Sequence, residues 1–247
     1  AAFEAARIDV VKDIAYDPTE TDVAGIVQPM LDSAPDLLCW CTSYTPMVHA
    51  MTEYAYKRGF QGEILSCTLD NYQRLVARTS VDFMDGAIFQ FPDFDDPKLA
   101  KKAFFFNRPS TFFKEYNARY PNSWSAVSWE YVAILDLWHA AVEKVGSVNP
   151  VSVLNTMKHM DTTPHAFGSA RWWGESIFGI DNALIGDWPV VTLQDGRARI
   201  AEFGSIPDWL EKHEALLHRH LGKVGQLWQQ RLESAGQKTG LTSRQVE

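Results

Sequence analysis

Residues 37–67, LLCWCTSYTPMVHAMTEYAYKRGFQGEILSC, predict a strand, a helix and a second strand in succession. Leu37 to Cys41 and Ile64 to Cys67 are apolar at both alternating positions, which is typical of parallel strands covered by helices on both faces. Between them, Thr45-Pro46 predicts a helix start and Gly59 a helix end. This unit predicts an α/β fold built on a parallel sheet, with both strands at its centre.

The composition indicates a folded chain without a nucleic-acid or membrane footprint. The chain has 247 residues, 46% of them apolar, and 31 Asp and Glu against 23 Lys and Arg give a formal net charge of −8. An acidic chain lacks the positive surface that binds nucleic acid or anionic bilayers. No apolar stretch approaches the roughly 18 to 20 residues that cross a bilayer, and none resembles a secretory signal. The three cysteines are too few for a disulfide framework and are predicted to be buried free thiols.

The rest of the chain first continues the alternation of strands and helices and then contains longer aromatic helices. Ile8 to Val11 and Gly86 to Phe91 are further strand candidates, and Thr21 is expected to cap a helix. Aromatic helices are predicted over residues 99–120 and 127–145. The remaining predicted elements are a helix from Asn149-Pro150 to about Met160, strands at Ala170 to Trp173, Trp188 to Leu193 and Arg199 to Phe203, a hairpin turn at Asp195-Gly196, and a terminal helix from Ile206 to about Leu232.

Several short motifs occur in a fixed order along the chain. They are Pro18-Thr19-Glu20-Thr21-Asp22 before a helix ending at Ala34-Pro35-Asp36, Ser43-Tyr44-Thr45-Pro46 at a helix start, Cys67-Thr68-Leu69-Asp70 after a strand, Phe91-Pro92 before Asp95-Asp96-Pro97, Tyr120-Pro121, and the stretch from Pro189 to Gly196. In this order they resemble the second half of a type I periplasmic solute-binding protein of the branched-chain amino acid (leucine, isoleucine, valine) ABC transporter class. The resemblance covers about residues 1–203.

The resemblance implies an architecture and its partners. Members of that class have two α/β lobes, with parallel sheets flanked by helices, that close over a small ligand, and an ABC permease in the membrane recognises the closed form. We therefore expect a two-lobed type I periplasmic-binding-protein-like fold whose N-terminal portion is missing. Residues 1–118 would form the second lobe without its first strand and helix, 119–197 part of the first lobe, and 198–247 a return strand, C-terminal helix and tail. A further chain or segment is expected to supply the missing portion and to cover the edge beside the first buried strand.

The candidate binding residues follow the two buried strands. In open parallel sheets, ligands bind where loops lead from strand ends into helix N-termini, which here means residues 42–46 and 67–71. Helix N–H groups near Thr45 suit a carboxylate, and Tyr44 offers a ring and a hydroxyl. By resemblance, Tyr44 corresponds to a tyrosine that packs on the ligand. Thr68 corresponds to a residue whose carboxylate holds the ammonium group of the ligand, but threonine has no negative charge with which to do so. The predicted ligand-binding residues are Ser43, Tyr44, Thr45, Thr68, Asp70 and Trp124.

Each candidate also has a purely structural explanation. Tyr44 can cover the sheet end, Thr68 and Asp70 can cap a helix, and Trp124 can pack where the chain crosses between lobes. The ligand class is open between an amino acid, an aromatic or aliphatic acid, and an amide. A cationic ligand would fit an aromatic cage of Tyr44 with Trp40 or Trp124.

The sequence predicts no catalytic residues, no metal site and no cofactor. His213 and His218 lack the four-residue spacing of a zinc-protease helix, and the acidic run from Asp93 to Asp96 lacks the pattern of a calcium loop. The predicted function is that of an extracytoplasmic, periplasmic binding component of an ABC importer, not an enzyme. Two alternatives stay open: a cytoplasmic sensor or receptor domain of the same fold, and an enzyme whose active residues lie in the missing portion.

Overall fold

The structure is a computed structural model that describes residues 2–17, 19–41, 44–67, 69–102, 106–121, 124 and 127–223. The chain forms two compact units. Val11–Ile206 forms the larger one, and the described parts of Ala1–Val10 and Pro207–Glu247 form the smaller one. No helix in the described part of the chain is long and apolar enough to span a membrane. The candidate site lies in the larger unit.

Helices and strands alternate along most of the chain. The helices are α1 (Ala2–Ala5), α2 (Val23–Leu31), α3 (Thr45–Lys57), α4 (Tyr72–Arg78), α5 (Val81–Met84), α6 (Pro109–Arg119), α7 (Val127–Val145), α8 (Pro150–Lys158), α9 (Glu175–Phe178) and α10 (Ile206–Lys212). The strands are β1 (Leu37–Trp40), β2 (Glu63–Ser66), β3 (Ile88–Phe89), β4 (Thr163–His165), β5 (Gly168–Trp173), β6 (Ala183–Gln194) and β7 (Arg197–Ser205). A 3₁₀ helix covers Pro97–Lys101, and residues 214–223 are also helical.

The sheet combines a parallel part with an antiparallel part, and β6 belongs to both. Strands β1, β2 and β3 run parallel, and β3 pairs antiparallel with Val191 and Thr192 near the end of β6. That end of β6 also pairs with β7. The beginning of β6 pairs with β5, which pairs with β4. The predicted α/β class is therefore confirmed.

The parallel strands are buried as their apolar sequences predict. Leu38 and Trp40 of β1 are 0% and 2% exposed, and Ile64 of β2 is 1% exposed. Trp40 donates from Nε1 to Oγ1 of the buried Thr52 at 2.9 Å, which attaches α3 to β1. The prediction that both strands are central is wrong for β1. Among the described residues β1 pairs with β2 alone and so stands at one end of the strand order.

The ends of α2 and α3 lie at the capping and stop residues that the sequence predicts, or one residue away from them. Thr45 is the first residue of α3 and Tyr44 its N-cap, so Thr45 is not the cap itself. Gly59 ends the helix with φ +76°, a conformation that glycine adopts without strain. For α2 the cap is Asp22, whose carboxylate accepts from the Gly25 N–H, and not Thr21.

Two further predictions of secondary structure are wrong. Ile8 to Val11 forms no strand, and Ile8, Val10 and Val11 are about half exposed because no described strand pairs with them. The single helix predicted over residues 99–120 is instead a 3₁₀ turn followed by α6, which starts at Pro109. Proline has no N–H and keeps the residue before it out of the helical region, so the helix begins there.

The β6–β7 hairpin confirms the predicted turn. Asp195 and Gly196 both have positive φ, +51° and +73°, as a two-residue type I′ turn requires. The Asp195 N–H donates to Asp85 Oδ1 at 3.1 Å, which attaches the turn to the end of α5.

The smaller unit combines α1 with the helices at the end of the described chain. Glu4 of α1 forms an ion pair with Arg219 at 2.9 Å and a hydrogen bond with His220 Nε2 at 2.7 Å. The predicted terminal helix is interrupted at His213, which stacks on Trp209 at 4.5 Å between centroids. The rest of that prediction, from residue 224, lies outside the described residues. The lobe boundaries expected at residues 118 and 197 stay a prediction.

Candidate functional site

The carboxyl ends of the parallel strands meet at one edge of the sheet. Trp40 at the end of β1 is in register with Ser66 at the end of β2, so the following segments leave side by side. His49 in α3 bonds through Nε2 to the Asp70 carbonyl oxygen at 2.8 Å. Gln90, after β3, donates from Nε2 to the Cys67 carbonyl oxygen at 2.6 Å. These bonds join the segments after all three strands.

Tyr44 and Thr45 stand at the start of α3. Tyr44 has extended backbone and a side chain half exposed to solvent. Its carbonyl oxygen accepts from the N–H groups of Met47 and Val48 at 3.0 and 3.1 Å, and Pro46 has no N–H. Within the first turn, the N–H group of Thr45 therefore does not donate to the Tyr44 carbonyl oxygen. The helix end can offer a ligand this N–H and its partial positive charge.

Asp70 lies on the segment between β2 and α4. The N-cap of α4 is Asn71, with φ +55°, so the capping position that the sequence suggested for Asp70 belongs to its neighbour. The Asp70 side chain is half buried.

Glu130 is a half-buried acid, influenced by the charge of Asp70, that the sequence analysis did not single out. It lies in the first turn of α7 and is half buried. Burial raises the pKa of its carboxyl group, and the negative charge of Asp70 raises that pKa further. Helix α7 therefore brings a second carboxylate near Asp70. The sequence signal was an acid in the first turn of a long helix, which is too common to indicate a ligand.

Trp124 belongs to a cluster of aromatic rings. Its ring contacts Phe113 edge-on, with centroids 4.7 Å apart, and Phe94, which is 0% exposed, at 5.3 Å. The other rings in contact with Phe94 or Trp124 are Phe112, Tyr116, Trp129 and Phe167. These contacts agree with the packing explanation for Trp124. Trp40 is in the core and cannot form a cage around a ligand.

Two of the predicted binding residues, Ser43 and Thr68, lie outside the described residues. The ligand-binding roles of Tyr44, Thr45, Asp70 and Trp124 stay predictions. The structure brings Asp70 close to α3 through the His49 bond and close to Glu130 of α7.

His165 and Trp188 form a second place where polar atoms lack partners. His165 Nδ1 and Trp188 Nε1 are buried and have no hydrogen-bond partner within the described residues. Their rings are in edge contact with centroids 5.6 Å apart. Burial lowers the pKa of His165, which favours the neutral imidazole. A water molecule or a polar ligand group could satisfy both atoms.

The acidic run after β3 has a structural role. The Tyr72 hydroxyl donates to both carboxylate oxygens of Asp93, at 3.0 and 2.9 Å. Asp96 accepts from the N–H groups of Lys98 and Ile200, at 2.8 and 2.9 Å, which attaches this loop to β7. Nowhere in the described ranges do three or more His, Cys, Asp or Glu side chains form a group that could hold a metal ion.

The cysteines are free thiols, but the prediction that they are buried is wrong. Cys41 is exposed, and Cys39 and Cys67 are half buried. Cys39 lies in β1, and Cys41 and Cys67 directly follow β1 and β2.

The chain matches the family model described as periplasmic binding protein over residues 1–198, and it belongs to this family. No curated protein matches the sequence at a significant level. Solved structures of solute-binding proteins share its fold, and the chain spans about half the length of those structures.

Three of these structures show the range of relatives. A leucine-binding protein from Thermotoga maritima has 16% identity and a TM-score of 0.61, over 80% of this chain and 52% of its own. An ABC transporter solute-binding protein from R. palustris in complex with benzoate has 14% identity and a TM-score of 0.62, over 83% and 52%. A leucine-, isoleucine-, valine-, threonine- and alanine-binding protein from Brucella ovis, in the closed conformation, has 13% identity and a TM-score of 0.61, over 82% and 52%.

Proposed function

We propose that the chain is the ligand-binding portion of an extracytoplasmic solute-binding protein that delivers a small carboxylate-type ligand to an ABC permease. The ligand occupies the space between the segments after β1 and β2 and the start of α7. It bridges these elements, so its binding energy favours the closed arrangement over the open one. Binding involves no covalent step.

Within that class, the pair of carboxylates favours an amino acid as the ligand. Asp70 and Glu130 are close enough for the charge of one to affect the pKa of the other. A bound ammonium group would relieve this repulsion, because an opposite charge favours the ionised form of both acids. The carboxylate of the same ligand would meet the Thr45 N–H at the start of α3. The observation that carries the proposal is the half-buried Glu130 of α7, whose pKa is raised by burial and then by the charge of Asp70.

Thermal unfolding of the 247-residue chain with added leucine or benzoate tests the proposal. A ligand raises the free energy of unfolding by RT ln(1 + [L]/Kd), so leucine is expected to raise the unfolding temperature. Asp70→Asn and Glu130→Gln should each weaken leucine binding by about ten- to a hundredfold, since each removes a charged hydrogen bond worth about 1.5 to 3 kcal/mol.

Glu143→Gln is the matched control for this experiment. Glu143 lies on the same helix, is exposed, and pairs with His139 at 3.3 Å. Its substitution should leave leucine binding unchanged. If benzoate stabilises the chain, leucine does not, and the two site variants bind benzoate as well as the original chain does, the ligand is an aromatic acid and the amino-acid assignment is wrong.

We further propose that polypeptide outside these 247 residues covers two surfaces: the rest of the first lobe covers α7, and the first strand of the second lobe covers the edge of β1 that no described strand pairs with. One face of α7 is buried through Trp129, Ala133 and Leu137. The opposite face is apolar but exposed through Tyr131 at 66%, Ile134 at 58%, Leu135 at 62% and Trp138 at 45%. A helix that is apolar on all sides is normally buried, and the solved relatives are about twice as long as the matched region.

Binding of an apolar fluorescent dye tests this second proposal. The 247-residue chain should bind the dye, and the double variant Ile134→Glu with Leu135→Glu should bind much less of it. The longest natural form of the protein should bind no more dye than the double variant does. Equal dye binding by the short chain and the longest form would show that no further segment covers α7.

A further inference from the structure

Cys39 and Cys41 stand side by side at the carboxyl end of β1. Their sulfur atoms are 3.0 Å apart, which is about 1 Å longer than a disulfide bond. Both thiols are free, Cys41 is exposed and Cys39 is half buried. A pair with one accessible and one sheltered sulfur is the arrangement that thiol–disulfide exchange uses.

The buried Trp40 between them holds this geometry. Successive side chains of a strand point to opposite faces, so Cys39 and Cys41 lie on one face of the strand and Trp40 lies on the other. Trp40 is 2% exposed and donates from Nε1 to Thr52 Oγ1. Neither cysteine can rotate to the other face without removing this indole from the core.

The two sulfurs also differ in their readiness to ionise. The hydrogen bond from Cys39 lowers the pKa of Cys41 to about 6. The same contact, together with burial, raises the pKa of Cys39. These opposite directions favour the thiolate, the nucleophilic form, at the exposed Cys41 and the protonated thiol at the sheltered Cys39.

We propose that Cys39 and Cys41 form a thiol–disulfide exchange site that reacts with small disulfides of the glutathione type. The Cys41 thiolate attacks one sulfur of the small disulfide, forms a mixed disulfide and releases one thiolate. Cys39 then attacks the Cys41 sulfur, its proton passes to the first released thiolate, and the second small thiolate leaves. The protein pair loses two electrons to the small disulfide, which becomes one thiol and one thiolate, and the thiolate takes its proton from water. This inference does not depend on the identity of the transported ligand.

Cys67 is the alternative partner that the experiment must distinguish. It follows Ser66, which is in register with Trp40, so Cys67 comes level with Cys41 on the neighbouring strand. No sulfur contact links Cys67 to either of the other cysteines in the described structure, so Cys39 is the expected partner.

Oxidation of the full chain with glutathione disulfide, followed by thiol counting and peptide mass spectrometry, tests the proposal. The three free thiols should fall to one, with the chain lighter by two hydrogens and Cys39 linked to Cys41. Reduced glutathione should reverse the reaction. Cys39→Ser should accumulate a lasting glutathione adduct on Cys41, and Cys67→Ser should behave as the original chain.

Other results would overturn the assignment. These are a lasting glutathione adduct on Cys41 of the original chain, or loss of the internal disulfide in Cys67→Ser. The same reaction in concentrated urea is the control for folding. The unfolded chain should form mixed adducts at all three cysteines, and an equal yield of the Cys39–Cys41 disulfide in urea would show that the folded geometry plays no part.

Discussion

At the scale of single residues, the buried hydrogen bond between Trp40 and Thr52 fixes the end of β1 against α3. Thr52 is 0% exposed, and its hydroxyl accepts from Trp40 Nε1 while donating to the Val48 carbonyl oxygen at 2.7 Å. The pair joins β1 to α3, and it holds in place the strand end that carries both the candidate ligand site and the cysteine pair.

Thr52→Val should destabilise the chain by about 1 to 3 kcal/mol, because valine keeps the shape but leaves the indole N–H buried without an acceptor. Urea unfolding measures the change. Thr156→Val is the control, since that hydroxyl donates only to Ser152 in its own helix, and we expect an effect within about 0.5 kcal/mol. Equal losses in the two variants would contradict a special role for Thr52.

Asp93 is the residue whose ionisation is expected to affect folding. Burial raises the pKa of its carboxyl group, although the Tyr72 hydroxyl acts in the opposite direction. A raised pKa in the folded state means that the protonated acid stabilises the fold. This contribution is present below the unfolded pKa of about 3.9 and is lost as pH rises through the folded value.

The unfolding free energy of the original chain should therefore increase relative to that of Asp93→Asn as pH falls from about 7 to about 4. Urea titrations at several pH values measure this difference. Asp82→Asn removes an exposed carboxylate and serves as the control. A difference between Asp93→Asn and the original chain that does not change with pH would contradict the raised pKa.

At the scale of elements, the β6–β7 hairpin holds the two parts of the sheet together. Strand β6 pairs with β3 and β7 at one end and with β5 at the other. The hairpin depends on its turn, where Gly196 has a positive φ. A Cβ atom at this position would have room, since its nearest neighbour would be Val81 Cγ2 at 3.5 Å.

Gly196→Ala should therefore destabilise the chain through backbone strain alone, by about 1 to 2 kcal/mol. Gly222→Ala is the matched comparison, because Gly222 is helical and a Cβ atom there would meet nothing within 4 Å. Alanine in a helix is favoured over glycine by up to about 1 kcal/mol. Thermal unfolding of both variants gives the comparison, and a loss of the same size in each would rule out strain at the turn.

At the scale of the whole molecule, ligand binding is expected to depend on pH through Glu130. Its pKa is raised by burial and by Asp70, and an ammonium group binds only to the ionised acid. Leucine binding should therefore weaken as pH falls from about 8 towards about 5. The loss of affinity should begin at a higher pH than it would if the glutamate had its ordinary pKa. Calorimetric titration of leucine measures the affinity. Glu130→Gln should bind weakly with a flatter pH profile, and an unchanged profile would contradict the role of Glu130.

The local features of this protein follow from its sequence because they depend on neighbouring residues. The apolar runs of β1 and β2, the start of α3 at Thr45-Pro46 and the turn at Asp195-Gly196 follow from side-chain burial and backbone preference within a few residues. The ordered series of motifs was enough to predict the family, which the family model confirms.

Tertiary structure decided which of these pieces meet. Ile8 to Val11 has a strand-like sequence but no described partner, and a strand needs a partner for its backbone hydrogen bonds. Asp70 and Glu130 are 60 residues apart in sequence, and only the fold brings them close enough for the charge of Asp70 to raise the pKa of Glu130. Proximity and burial are set by long-range packing, which no local pattern of residues contains.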